Sequence, residues 1–204
     1  KRNPNRSRRA NNQNQTTFVR GRVYVADSLG AGANSITISD NAFSTILTDM
    51  GAVFRWYRFT KLKFRLLPYT ANSNVVGMQY IAGSTTGMTP PNSLGDMEGQ
   101  NCEYLSQYAT VPVTMEVRQP QLGGQLEWYK TQSDAGDADL EVQGELYVAS
   151  IDADAVFTLV IEYECEFKEP ADPLVIAAAL STTNSKSTKS RSTKTPPKLF
   201  SPSS

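Results

Sequence analysis

Residues 55–68 read RWYRFTKLKFRLLP, and the reading of this stretch decides the fold. Aromatic, basic and apolar residues alternate along it, and residues of this kind favour a pleated, half-buried strand over a helix. Strict alternation predicts Trp56, Arg58, Thr60, Leu62, Phe64 and Leu66 on one face, with Tyr57, Phe59, Lys61, Lys63 and Arg65 on the other. Pro68 cannot donate to a sheet ladder and closes the strand.

Working outward, the same period of two recurs. Thr17–Asp27 (TFVRGRVYVAD) sets Phe18, Arg20 and Arg22 against Val19, Val23 and Val25, and a slip near Gly21 suggests a β-bulge. Asp40 reads as the N-cap of a short helix carrying Phe43, Ile46, Leu47 and Met50 as its apolar stripe. Six further strands are expected, at Asn74–Ala82, Cys102–Tyr108, Val111–Arg118, Gln125–Thr131, Glu141–Ile151 and Val156–Lys168, which makes eight. Turn-rich pieces such as GSTTGMTPPNS (83–93) and QPQLGG (119–124) separate them. Many strands and little helix exclude βαβ units and argue for an all-β sandwich or barrel. An eight-stranded antiparallel jelly-roll sandwich with one or two short helices is one such solution.

The chain has 204 residues and is 39% hydrophobic, which suits one core plus polar tails rather than two domains. Its formal net charge of zero conceals strong segregation. Residues 1–22 carry seven basic side chains (Lys1, Arg2, Arg6, Arg8, Arg9, Arg20 and Arg22) and no acid, and residues 181–204 carry five, again without an acid. The stretch between them holds eight basic residues against all twenty acids, a net of −12. Residues 1–16 contain no apolar residue larger than Ala, and 181–204 are Ser, Thr, Lys and Pro; neither segment can bury enough surface to offset its ordering entropy, so both are expected to be disordered tails. The organisation expected is therefore a basic arm (1–16), a β domain (17–170) and a C-terminal extension (171–204). Nothing at the N-terminus resembles the apolar core of a secretory signal, and no apolar run is long enough to span a membrane. The eight apolar residues PLVIAAAL (173–180) are read as packing against a neighbour. Two cysteines, Cys102 and Cys165, make no disulfide framework and are read as small buried apolar residues.

The stretches AVFRWYRFTKLKFRLLPY and SNVVGMQYIAG, with GELYVASI and LVIEYECEFKEP near the end of the domain, resemble the coat proteins of sobemoviruses and the shell domain of tombusvirus-like coat proteins. The resemblance covers about residues 17–170, in order. It implies a jelly roll, self-assembly with other copies of the chain into an icosahedral shell of T=3 type, an internal N-terminal arm that packages viral genomic RNA, and a place in the virion after assembly in the host cytoplasm, without stable membrane association. Three features depart from that pattern. Tyr80–Gly83 leads into STTGMTPP with no acid, where the family often carries an Asp-rich segment for interfacial Ca²⁺. Residues 1–16 lack the Pro–Gly repeat of interlocking arms. The 34 residues after Pro170 are too few for a protruding domain.

Seven cations without an acid are the electrostatic footprint of phosphate binding, so the expected RNA-binding residues are Lys1, Arg2, Arg6, Arg8, Arg9, Arg20 and Arg22. The simpler alternatives are a solubilising tail or a nuclear-targeting run at RSRR. Lys61, Lys63 and Arg65 form a second basic set, readable as an RNA-facing inner surface, as subunit-interface ion pairs or as a solvated sheet face. No motif requires a cofactor. For a structural Ca²⁺ at a subunit interface, Asp134, Asp137 and Asp139 are the best ligand candidates, because hard cations take several oxygens; a solvated turn explains the same residues, and Asp152 and Asp154 make a weaker case. Glu162, Glu164 and Glu166 alternate along one strand face and suit surface charge better than acid–base work. Without a single His there is no Ser–His or Cys–His dyad and no His-ligated zinc, and no phosphate loop or dinucleotide fingerprint occurs. The chain is therefore not expected to be an enzyme. Two other readings stay open: a cellular nucleic-acid-binding β module with a basic tail, and a lectin-like β-sandwich.

Overall fold

Two long antiparallel pairings organise the chain. In the computed structural model, which describes residues 16–28, 33–68, 75–124, 126–131, 138–151 and 155–170, β9 (Val156–Pro170) lies between β1 (Thr17–Ser28) and β3 (Phe54–Leu67). The first sheet has the order β1-β9-β3-β6, with β6 at Val113–Arg118. The second has the order β2-β8-β4-β5, built from β2 (Ala33–Ile38), β4 (Val76–Ala82), β5 (Cys102–Leu105) and β8 (Gly144–Ser150). Every pairing is antiparallel, and consecutive strands 1–2, 3–4, 5–6 and 8–9 cross between the sheets, which is the winding of a jelly roll. A two-residue strand, β7 (Tyr129–Lys130), adds to β3 beyond the end of β6. Helix α1 (Thr45–Gly51), a single turn α2 (Ala138–Glu141) and a 3₁₀ turn at Leu94–Asp96 complete the described elements.

The jelly roll and its eight principal strands match the expectation, although not from the same eight segments. Gln125–Thr131 shrinks to β7, because this segment meets β3 only at Trp56 and Tyr57. The eighth principal strand is β2, ANSITI, which the sequence reading passed over. It is short and polar at an edge, where only Ile36 and Ile38 are large enough to reach the core.

The alternation expected along β3 is corrected. A β-bulge between Phe59 and Lys61 reverses the parity, so Tyr57 and Phe59 point inward together with Leu62, Phe64 and Leu66. Trp56 and Arg58 consequently share the outer face with Lys61, Lys63 and Arg65. The bulge expected in β1 is absent: its register against β9 runs unbroken from Thr17 to Ser28. Gly21 simply occupies an inward position between Val19 and Val23. A Cβ there would lie 2.2 Å from the Tyr163 hydroxyl, so the glycine makes room for that ring. Tyr163 in turn shares a 3.0 Å hydrogen bond with Ser44, which ties β9 to the helix.

Ser44, not Asp40, caps α1: its hydroxyl accepts from the Leu47 amide at 3.5 Å. Of the expected stripe, Leu47 is buried, Phe43 and Met50 pack against the core and Ile46 is exposed. Asp40 instead tucks against Gly51, where a Cβ would come within 1.9 Å of its carboxylate. It is only 4% exposed. Burial, reinforced by nearby Glu141 and opposed by a hydrogen bond from its own amide, pushes its carboxyl up to about 6. The same carboxyl, second to burial itself, raises Tyr57 and Cys165. Both cysteines are free; Cys165 is buried as expected, whereas Cys102 is only half-buried, at the margin of a second apolar cluster.

Gln143 joins the sheets at the β3 bulge. Along one edge of β3, β7 pairs with residues 56–57 and β6 with residues 61–66, which leaves a gap at Phe59. The Gln143 side chain fills it, accepting from the Phe59 amide at 2.6 Å and donating to the Phe59 carbonyl at 2.9 Å and the Leu122 carbonyl at 3.3 Å. Its own backbone donates to Ile38 and accepts from Gly83. Gln143→Leu strands these buried groups and is expected to cost about 3 kcal/mol or more of stability in chemical denaturation, from roughly 1–3 kcal/mol per unsatisfied group. Asp40 has a raised carboxyl, so the folded state binds the extra proton between about pH 4 and 6. Stability should therefore fall as pH rises from about 4 to 6 and then level off, by at most about 3 kcal/mol in all. Asp40→Asn should remove that contribution, read as melting temperature against pH from 4 to 8.

Candidate nucleic-acid interface

The two sheets differ in what covers their outer faces. The segment between β4 and β5 folds over the second sheet, where Met97, Tyr147 and Ala149 form a buried cluster flanked by Leu94 and Cys102. Strand β8 is consequently buried on both faces, with Leu146 and Val148 in the main core. On the first sheet, the outer face is a field of charge.

Its pattern follows from the register. The middle strand β9 presents Glu162, Glu164 and Glu166, and the flanking strands present cations. Arg20 meets Glu164 at 3.2 Å and Arg22 meets Glu162 at 2.7 Å from the β1 side. From the β3 side, Arg58 meets Glu166 at 2.9 Å and Arg65 meets Glu162 at 3.6 Å. Lys61 reaches across to Glu116 on β6 at 3.2 Å, and Arg118 pairs with the same carboxylate. These two cations hold the Glu116 carboxyl below its usual range. Lys63 has no ion pair among the described residues. At the far end, Arg58 and Lys168 each lie 4.2 Å from the Trp128 ring, Glu127 also pairs with Arg58, and the Trp56 indole donates to Glu169 at 3.0 Å.

The cationic residues expected from the sequence are therefore only partly in view. Arg20, Arg22, Lys61, Lys63 and Arg65 share this face, whereas Lys1, Arg2, Arg6, Arg8 and Arg9 lie outside the described residues. So do Asp134, Asp137, Asp152, Asp154, residues 173–180 and the basic tail. Asp139 is exposed in α2. Among the described residues no group of three His, Cys, Asp or Glu side chains could hold a metal ion, and no helix is long and apolar enough to cross a membrane.

The sequence reading missed that Glu162, Glu164 and Glu166 of β9 each meet an arginine of a flanking strand. The signal was present, since Arg20 and Arg22 carry the same two-residue spacing as the glutamates. Glu116, Arg118, Glu127 and Trp128 could not be placed beside them without the strand order. Exposed pairs of this kind are worth roughly 0–1 kcal/mol each, so their main effect is to bring the face close to neutrality. Asp40, the carboxyl with the clearest upward shift, is not part of this face but is buried against Gly51, near Glu141.

No family model matches the chain, and no curated protein matches it in sequence. Solved structures do match in fold. The tobacco necrosis virus structure superposes with a TM-score of 0.63 at 13% identity, covering 78% of this chain and 99% of that one. The three-dimensional structure of Cocksfoot mottle virus gives 0.57 at 13% identity, covering 78% and 98%. A T=1 subviral particle of a Penaeus vannamei nodavirus capsid protein deletion mutant gives 0.54 at 12% identity, covering 77% and 96%. What this chain shares with them is the jelly roll of small RNA-virus shells.

Proposed function

We propose that the chain is the coat protein of a small icosahedral RNA virus, assembling with copies of itself into a closed shell and packaging RNA through its basic N-terminal segment. One observation carries the reading: an acid-free segment with five cations leads straight into the first strand, which carries two more, of a jelly roll shaped like those of virus shells. The role is structural rather than catalytic, the site of action is the virion, assembled in the host cytoplasm, and T=3 is the lattice that the sequence resemblance favours.

The charge distribution supports a division of labour. The net of −12 over residues 23–180 repels nucleic acid, and the pairing along the outer face leaves its arginines largely compensated. Phosphate contact then falls mainly to Lys1, Arg2, Arg6, Arg8 and Arg9. A cellular nucleic-acid module of this fold would need a basic groove on the body itself, and a lectin-like sandwich leaves both basic tails without a role.

Purified full-length protein is expected to form uniform closed shells containing RNA, visible by negative-stain electron microscopy. Protein that stays monomeric at high concentration with RNA present would refute the reading. Deleting residues 1–16 should remove most of the packaged RNA, measured by the absorbance ratio of purified particles, while the domain keeps its fold, because β1 begins at Thr17. No cofactor is required for this function. Any structural Ca²⁺ is assigned to Asp134, Asp137 and Asp139, so replacing all three by Asn should abolish whatever swelling chelation produces at neutral pH.

A further inference from the structure

Arg20, Arg22 and Lys61 converge with Glu162 and Glu164 around an open groove of about 440 Å³ that crosses β1 and β9 at Gly21. The arginines keep donors to spare there. Arg20 contacts Glu164 through Nε and stacks over the Phe18 ring at 4.7 Å, and Arg22 contacts Glu162 through one Nη, although a guanidinium offers five donors in a fork suited to phosphate. Their side chains are 69% and 52% exposed, whereas the two glutamates are 30% and 26% exposed and the firmer half of each pair. Glu162 is also held by Arg65, so it stays in place when Arg22 leaves.

We propose that this groove is a phosphate subsite for single-stranded RNA at the root of the arm, and that Glu162 and Glu164 occupy its arginines as phosphate surrogates until RNA displaces them. The proposal rests on the RNA-packaging reading and adds a site and its control. Only ten residues separate Arg9 from Arg20, at most about 40 Å of extended chain, so RNA held by the arm is delivered to the groove. Exchanging one exposed ion pair for another changes little in direct energy, while release of RNA counterions drives the exchange toward phosphate. The glutamates thereby weaken capture of stray RNA by single subunits and yield where RNA is concentrated. The alternative occupant, a carboxylate surface of a second copy, matches the guanidinium fork as well but releases no condensed counterions.

The test uses the full chain at concentrations where subunits are free, a short labelled oligouridylate as the probe, and anisotropy titrations across a salt series. Glu162→Gln with Glu164→Gln should tighten binding about ten-fold and steepen the dependence of log affinity on log salt by about 1.4, for two added contacts at roughly 0.7 each. Arg20→Gln with Arg22→Gln, which keeps the strand's shape, should leave wild-type affinity unchanged at high salt and weaken it at low salt. Unchanged affinity and slope in the glutamate variant, with circular dichroism showing an intact fold, overturns the subsite. So does self-association of that variant without RNA in place of tighter RNA binding. Arg6, Arg8 and Arg9 changed together to Ala report separately on the arm: if neither they nor the wild type show salt-dependent binding, the packaging reading itself fails.

Discussion

The amide of Gln143 bonded to the backbone of Phe59 is the constraint on which the rest of this fold depends. It acts as a one-residue strand in the gap between β6 and β7, satisfying both backbone groups of Phe59 beside the bulge. The bulge is what lets one fourteen-residue strand present Tyr57 and Phe59, then Leu62, Phe64 and Leu66, to the same core. A straight strand would turn one of those groups toward solvent. Each such side chain is worth roughly 1.5–3 kcal/mol when fully buried, so exposing even the smaller group would cost more than a bulge whose polar groups are already bonded. Gln143 also reaches Leu122, Ile38 and Gly83, so the same residue sets where the segment after β6 and the two sheets meet.

The parity set by the bulge also decides the chemistry of the outer face. Once the register shift between Phe59 and Lys61 aligns Lys61, Lys63 and Arg65 with Arg58 and Trp56, β9 has cations on both sides of its glutamates at positions 162, 164 and 166. Alternating charges across neighbouring strands stabilise each pair only slightly. Their collective consequence is larger: the long strands β1, β9 and β3 expose a face that neither collapses onto itself through apolar contact nor carries a strong field.

How much of this was legible in the sequence differs by element. Strands β1, β3, β8 and β9 announce themselves, because long runs of β-branched and aromatic residues alternate with charge. The parity change in β3 was readable too: Tyr57 and Phe59 are odd, whereas Leu62, Phe64 and Leu66 are even, and only a bulge near Thr60 reconciles them. The expectation placed the bulge in β1 because a glycine in a strand often marks one; here the glycine answers to the Tyr163 ring, a contact 142 residues away in sequence. Asp40 misled for a similar reason. Asp is a common helix cap, but burial beside Gly51 depends on packing that local sequence does not express. Strand β2 offers two isoleucines and little else, and its place is fixed by the partner β8 rather than by its own composition. The ion-pair ladder needed the strand order, which no single segment contains.

Charge segregation along the chain and strand order in the sheet are two aspects of one arrangement. The basic residues outside the domain have no acid near them in sequence, while Arg20, Arg22, Arg58 and Arg65 inside it are met by glutamates from β9. Arg20 and Arg22 stand at the junction, belonging by sequence to the acid-free segment and by structure to the paired face. A chain that must bind polyanion with one end while its body avoids it needs such a junction, because cations continued unpaired onto β1 would extend the phosphate-binding surface across the whole sheet. Placing glutamates on the neighbouring strand ends that surface within two residue pairs. The boundary between tail and body is therefore drawn by β9, the last strand of the domain, acting on the first.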